Sequence, residues 1–457
     1  MTPPVTLAMA GVQHAALRAH LLPGDGLEAA AILLCARGPG ARERHVVREV
    51  LPVPHADCFE RTPTFVSWPG AWIERAIDIG ERDDLAVVLA HSHPGGMPAF
   101  SAQDDASDRA TIPALFQAYG HVHGSAIMVP DGTVRARLYR ADMSPTQVDL
   151  VAVAGDEIDL HWSAGGRRPA AFTSGMTAEL GRLTAVVIGV SGTGSIVAEQ
   201  AARIGFGRVI LIDFDRVERR NLNRILNSTT ADAEAALLKV LGAARAITEH
   251  RGPGVATAVA APIDTRAAVV AAAQGDVLFS CVDTLVARQI ADLMCSAFVM
   301  PLIDMGVTIP ARDDGRGGTA VIDAVGRVDY VQPGGSSLRS RGVYTPASVR
   351  AEELAAVAPE AHAVELAAGY FDGAVEQAPS VISLNMRAAS AAMNEFILRA
   401  YPFRLEPNGG FARTRFSLAG ADEDHFAEGD FPRGSTRLLG RGGTEPLLNI
   451  PGLAAPR

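Results

Sequence analysis

The chain has 457 residues, a formal net charge of -10, 48% hydrophobic and 20% charged residues, and four cysteines. That length predicts two or three domains rather than one core, and the acidic balance excludes a general binder of nucleic-acid backbones. Cys35, Cys58, Cys281 and Cys295 are too few and too scattered for a disulfide framework. With no signal-like start and no apolar run near the roughly 20 residues of a membrane span, the sequence reads as cytoplasmic, with no membrane partner.

Residues 28–36, EAAAILLCA, and 85–91, LAVVLAH, are short apolar runs and predict buried strands. His91 and His93 close the second run at i and i+2, a spacing that turns both imidazoles to one side of a strand. Ser101 is placed to cap the helix predicted from SAQDDASDRATIPALFQAYG, and Asp104 then falls in its first turn. Two imidazoles and one carboxylate are a zinc donor set with a fourth position left for water. Glu28 is the acid of this half best placed to be drawn inward as a base. His121 and His123 repeat the i, i+2 spacing without an S-x-x-D partner and are read as structural. SAIMVP, a PDG turn and TVRARLYR predict two further strands, and a first domain is expected over residues 1–150.

From residue 184, TAVVIGVSGTGSIVAEQAARIGFGRVILIDFD reads strand, glycine turn, helix, strand. This is one βαβ unit of a parallel sheet, so a doubly wound α/β domain is expected over 160–435, with 436–457 as a loose tail. Gly189, Gly192 and Gly194 suit a turn against a phosphate, and Asp213, at the end of the next strand, suits ribose hydroxyls. To this point a nicotinamide-dependent oxidoreductase fits as well. DFDRVERRNLNR then adds Asn221, Asn223 and Arg224, a predicted helix adds Lys239, and CVDT sets Asp283 at a strand end. Arg224 and Lys239 are cations for phosphates, and Asp283 suits Mg²⁺ shared with them. LVARQIADLMCSAFV and PSVISLNMRAASAAMNEFILRAYPF predict a helix and a long buried helix behind a proline start.

H-x-H, seven residues, then S-x-x-D, with an upstream Glu before an apolar strand, resembles the JAB/MPN (JAMM) metalloproteases over residues 5–145. The resemblance implies hydrolysis of isopeptide or peptide bonds after ubiquitin-like C-termini. His91, His93 and Asp104 would hold Zn²⁺, Glu28 would be the general base and Ser101 would support the oxyanion. Residues 165–400 resemble the ThiF/MoeB family and the adenylation domains of ubiquitin-activating enzymes, through GxxGxG, DFDxVexxNLNR, the helix lysine and the DT pair. That likeness implies an ATP and Mg²⁺ site from Gly189, Gly192, Gly194, Asp213, Asn221, Asn223, Arg224, Lys239 and Asp283. It also implies a homodimer, in which Arg167 of RRPAAF reaches across to the partner's ATP.

The implied reaction is formation of an acyl-adenylate on the C-terminal carboxylate of a ubiquitin-like, β-grasp protein. A thioester-forming relative carries a cysteine where DYVQPGGSSLRSRGVYTPAS has none, and SSLRS stands where relatives often show CLRC. Structural zinc in this half is therefore not expected. Either the adenylate is handed to another thiol, with a conjugating-enzyme-like protein as a partner, or the chain has been altered, or Cys295 serves. Cys281 and Cys295 are read as core, and the role of Cys58 stays open. The combined expectation is an α/β protein whose two sites address one partner in a bacterial ubiquitination-like pathway, phage defence among them. The alternatives are a sulfur-carrier adenylyltransferase whose first half only docks the partner, and the nicotinamide-dependent oxidoreductase.

Overall fold

The computed structural model describes residues 3–120, 122–313, 319–357 and 381–456. Its first half is organised by the strand Ala30–Arg37, whose sequence AAILLCAR is buried at every position but the last. A strand covered on both faces has no polar side to show, which is why this run does not alternate. Its residues still point alternately. Leu33 packs with Leu17 and Leu21 of the helix Gly11–Leu21. Ile32 and Leu34 pack with Ala76 of Ala71–Asp83 and with Ile112 and Leu115 of Ala102–Ala118.

Around it runs a mixed sheet in the order Ile158–Trp162, Leu150–Ala154, Thr6–Ala10, Arg44–Pro52, Ala30–Arg37, Ala86–Ser92, His123–Met128, Val134–Tyr139 and Pro145–Gln147. The first two of these strands lie beyond the boundary expected at residue 150. Leu150–Ala154 pairs in parallel with Thr6–Ala10, and Ile158–Trp162 pairs with it antiparallel. Leu150, Ile158 and Trp162 also share a core with Leu180, Val187 and Phe279 of the second half, so the two halves are continuous in their packing.

The second sheet places five parallel strands in the order Ala256–Val259, Arg208–Ile212, Thr184–Ile188, Val277–Ser280 and Leu302–Thr308, extended antiparallel by Val325–Val331, Arg413–Ser417 and Asp422–Phe426. In chain order the parallel part reads 3-2-1-4-5, a doubly wound sheet. Its order reverses between Thr184–Ile188 and Val277–Ser280, and a crevice outside the carboxyl ends at such a point is where ligands bind. The helices Gly192–Ile204 and Ile382–Ala400 cover one face, with Phe396 against Phe206 and Phe279. Arg266–Ala272 and Leu285–Ala297 cover the other. The proline expected to start the long helix lies outside the described residues.

The tail expected to be loose is packed. Leu447, Leu448 and Leu453 are buried in the same core as Met294 and Leu338, and Arg266 pairs with Glu445 at 2.6 Å. Its glycines and prolines break regular structure, but its leucines bury apolar area, and that decides the outcome.

Candidate active sites

Two clusters of chemistry-bearing side chains form, one at a strand end of each sheet. In the first, Ala86–Ser92 carries His91 near its end, and His93 follows it, fixed by its N–H donating to the Met128 carbonyl at 2.9 Å. Ser101 is the N-cap of Ala102–Ala118: its Oγ accepts the Asp104 N–H at 3.2 Å, and its own N–H donates to Asp104 Oδ2 at 2.5 Å. This capping box turns the Asp104 carboxylate back onto the histidines. His91 Nε2 stands 3.0 Å from Asp104 Oδ1, His93 Nε2 stands 3.4 Å from Asp104 Oδ2, and the two Nε2 atoms are 3.1 Å apart.

Donors on a tetrahedral ion with bonds of about 2.0–2.1 Å stand ~3.3 Å from one another, so this spacing fits Zn²⁺. His93 Nδ1–H donates to the Met97 carbonyl at 2.9 Å, the outer contact that metal-binding histidines make, and this aims Nε2 into the cluster. Glu28 joins the histidines in a group whose ligand atoms lie within 4.8 Å of one another, and it is 6% exposed. Burial raises its carboxyl pKa, with His91 and His93 acting in the opposite sense. Burial also opposes ionisation of Asp104, but hydrogen bonds from His91, His93 and the Ser101 amide outweigh it and hold that carboxyl far below the usual range.

Behind this cluster, Asp108 on the same helix accepts hydrogen bonds from Ser125 Oγ at 2.5 Å, Arg137 Nε at 2.9 Å and Tyr139 OH at 2.9 Å. These contacts pin the helix, and with it Ser101 and Asp104, against the sheet. Asp108 follows Asp104 at i+4, but with many acids on the helix nothing in the sequence singles it out. His123 is structural: Val87 N–H donates to its Nδ1 at 3.1 Å, and its Nε2 meets the Tyr119 carbonyl at 2.9 Å. His121 lies outside the described residues.

The second cluster lies at the reversal of the second sheet. Gly189 follows Thr184–Ile188 with φ 83°, and a Cβ there would stand 2.8 Å from the Cys281 carbonyl oxygen. Gly194, in the first turn of Gly192–Ile204, could carry no Cβ without overlapping the Gly189 carbonyl oxygen. Gly192 faces the Asn385 amide, and Arg224 Cδ lies 3.5 Å from where its Cβ would stand. Val190 N–H, in the turn, donates to Asp213 Oδ2 at 2.7 Å, and Asp215 N–H donates to Asp213 Oδ1 at 2.8 Å. The Asp213 carboxylate thus braces the glycine turn, with lone pairs left for hydroxyl donors. Burial raises its pKa, and Lys239 works against that rise.

Lys239 opens the helix Lys239–Arg251, is 7% exposed, and donates from Nζ to Asp215 Oδ2 at 2.7 Å. Asn221 is buried and its Oδ1 accepts the Glu218 N–H at 3.1 Å, which shapes the turn. Asn223 is exposed and accepts from Arg224 Nη1 at 3.3 Å. Asp283 is exposed in the connection between Val277–Ser280 and Leu285–Ala297. That connection is held by Arg288, which donates to the Val282 carbonyl at 2.7 Å and to the buried Asp304 carboxylate at 2.5 Å. A single exposed carboxylate is the kind of donor that Mg²⁺ takes together with phosphate oxygens. Arg167 is exposed in the link between the halves, with no polar partner among the described residues.

One residue of this site goes unnamed in the motif reading, and another carries a second sequence signal. Asp215 is the second acid of DFD. Lys239 is the one lysine in a chain with 41 basic residues, a count that marks it before any alignment. Cys35, Cys281 and Cys295 are buried and Cys58 is half-buried.

The ThiF family model matches residues 167–330, and that of the prokaryotic homologs of the JAB domain matches residues 12–141. Ubiquitin-like modifier-activating enzyme 5 of Caenorhabditis elegans is 31% identical over 163 residues, 33% of this chain and 35% of that protein. The enzyme of the same name from Drosophila persimilis is 32% identical over 142 residues, 27% of this chain and 35% of that protein. The chain therefore spans about a third of the length of these curated relatives. A crystal structure of E. coli MccB with ATP is 16% identical, with a TM-score of 0.41 over 59% of this chain and 69% of that one. One of PaaA is 17% identical, with a TM-score of 0.38 over 55% and 75%. Among the described residues no helix is long and apolar enough to cross a membrane.

Proposed function

For a chain that carries a prokaryotic JAB-homologue domain followed by a ThiF-family domain, we propose that it activates the C-terminal carboxylate of a ubiquitin-like, β-grasp protein with ATP. In this reading the first domain hydrolyses a peptide or isopeptide bond at the same C-terminus. The observation that carries the proposal is the convergence of a Cβ-intolerant glycine turn, Asp213 and the sole lysine at the reversal of a parallel sheet.

A carboxylate oxygen attacks the α-phosphorus of ATP, the bond to the bridging oxygen breaks, and pyrophosphate leaves. The chain's part is alignment and charge. Gly192 and Gly194 let the main chain approach the phosphates, Asp213 accepts the ribose hydroxyls, and Lys239 exchanges Asp215 for a phosphate oxygen. Arg224, beside Gly192, takes further phosphate charge, and Asp283 would hold Mg²⁺, which supplies neutralisation of the departing pyrophosphate. In the first domain His91, His93 and Asp104 would hold Zn²⁺, which supplies Lewis-acid polarisation of a carbonyl. Glu28 accepts a proton from the attacking water and returns it to the leaving amine, a role that a carboxyl with a raised pKa suits. The Ser101 hydroxyl proton is free for the developing oxyanion, because its oxygen serves the cap.

The setting we propose is a bacterial ubiquitination-like pathway, with a homodimer through the second domain. The test is ATP–pyrophosphate exchange with a β-grasp protein ending in glycine. Exchange that requires that protein is expected, and exchange absent across such proteins would sink the reading. For the first domain, one zinc per chain and cleavage of a C-terminally extended partner, lost in Glu28→Gln, are expected. Cleavage that persists in Glu28→Gln removes Glu28 as the base.

A further inference from the structure

We infer that this chain is built to hold an activated acyl group without capturing it, so that the acceptor is a nucleophile on another molecule; the inference rests on the adenylation reading above. An acyl-adenylate is a mixed anhydride that any nearby free amine or thiolate attacks. The attacking lone pair bonds to the acyl carbon, the carbon–oxygen bond to AMP breaks, AMP leaves, and the proton of the amine or thiol passes to solvent. A lysine beside such a site is dangerous even though only about one in a thousand is unprotonated near pH 7.4, because proximity raises its effective concentration enormously. An arginine is not, since its guanidinium stays protonated and offers no free amine.

One of the 41 basic residues is lysine, and that lysine is 7% exposed with its Nζ on Asp215. The thiols follow the same pattern. Burial pushes the pKa of Cys35, Cys281 and Cys295 far up, and burial raises that of Cys58, whose Sγ contacts the Pro54 carbonyl.

Fold requirements explain only part of this arginine usage. Buried arginines serve several acceptors with one planar fork: Arg399 donates to Glu395 Oε1 and to the carbonyls of Asp156, Asn408 and Phe411, which an ammonium could not span. Arg219 and Arg220, whose side chains are 71% exposed, make only surface pairs with Glu234 and Glu218 among the described residues. A lysine would serve equally there, yet both precede Asn221 in the turn beside the nucleotide residues.

The full chain is first treated with the N-hydroxysuccinimide ester of acetic acid. Acetylation of the terminal amine is expected at least tenfold faster than that of Lys239, and equal rates would overturn the inference whatever the protein's function. The wild type and an Arg219→Lys/Arg220→Lys double variant are then incubated with ATP and the glycine-ended β-grasp protein, with pyrophosphate exchange followed alongside. Intact mass is expected to show an unmodified wild-type chain and a double variant that gains one partner mass less water. A wild-type chain carrying the partner on Cys58 or Lys239, or a double variant that exchanges normally yet stays unmodified, overturns the inference. Loss of exchange in both chains refutes the adenylation reading instead.

Discussion

Replacing Lys239 by methionine keeps most of the stem and removes only the ammonium. That ammonium pairs with Asp215, whose side chain is 51% exposed, so the lost ion pair is worth under ~1 kcal/mol and folding should barely change. A charge-assisted hydrogen bond to a phosphate oxygen is worth ~1.5–3 kcal/mol. At ~1.36 kcal/mol per factor of ten, that is a loss of about 12- to 160-fold in kcat/KM for ATP. Lys239→Arg keeps the charge but sets a bulkier planar group where 7% exposure leaves little room, so it should fall between the two. The assay is ATP–pyrophosphate exchange over a range of ATP concentrations, with urea unfolding of each variant alongside. A Lys239→Met chain that unfolds like the wild type and exchanges within twofold of it would refute the phosphate role.

Asp104→Ala should lower zinc affinity by at least ~100-fold and cost ~1 kcal/mol of stability through the lost bond from the Ser101 N–H, read by metal titration and by unfolding. Gly194→Ala drives a Cβ into the Gly189 carbonyl and should leave little folded protein, whereas the Asn385 amide facing Gly192 can turn aside, so Gly192→Ala should be milder; equal soluble yields would contradict this. Asp232 accepts from both Arg245 nitrogens at 2.7 and 2.8 Å and from the Thr229 N–H, and the Arg245 pairing leads in lowering its pKa. Its stabilisation is therefore complete above the unfolded pKa near ~4 and fades as pH falls, so Asp232→Asn should cost ~1 kcal/mol at pH 7 and less at pH 3 in urea unfolding.

Local chemistry made much of both clusters legible in the sequence. The i, i+2 histidines and the S-x-x-D cap are short-range patterns whose geometry follows from strand alternation and a capping box, and they carry the convergence on Asp104 with them. The βαβ reading rested likewise on adjacent residues. What the sequence hid was long-range. The strands Leu150–Ala154 and Ile158–Trp162 look like the end of one domain and the start of a linker, and only pairing with Thr6–Ala10 and packing against Leu180 show where they belong. The tail reads as coil from its glycines and prolines, and coil it largely is, but Leu447, Leu448 and Leu453 find a core that no local pattern announces.

The long-range contacts also leave both clusters outside the joint between the halves. Arg42 donates to Asp276 Oδ1 at 2.7 Å, to the Gln274 carbonyl at 2.8 Å and to Thr6 Oγ1 at 2.8 Å, and Arg44 reaches the Val299 carbonyl at 3.0 Å. The tail adds Gly443 N–H to the Arg37 carbonyl at 2.7 Å and Gly440 N–H to the Ser296 carbonyl at 3.0 Å. Asp276 begins the strand that leads to Asp283, and Arg37 ends the strand that Glu28 precedes. Each half is thus tied to the other at the end of a strand away from its cluster, at a remove of ~13 Å for Val277–Ser280 and ~25 Å for Ala30–Arg37. Buried arginines with several acceptors apiece make that tie stiff, because moving either half would strand charge in the interior. The halves are locked together while neither cluster is spent on the contact, which is the arrangement two sites need if each is to admit the end of another protein.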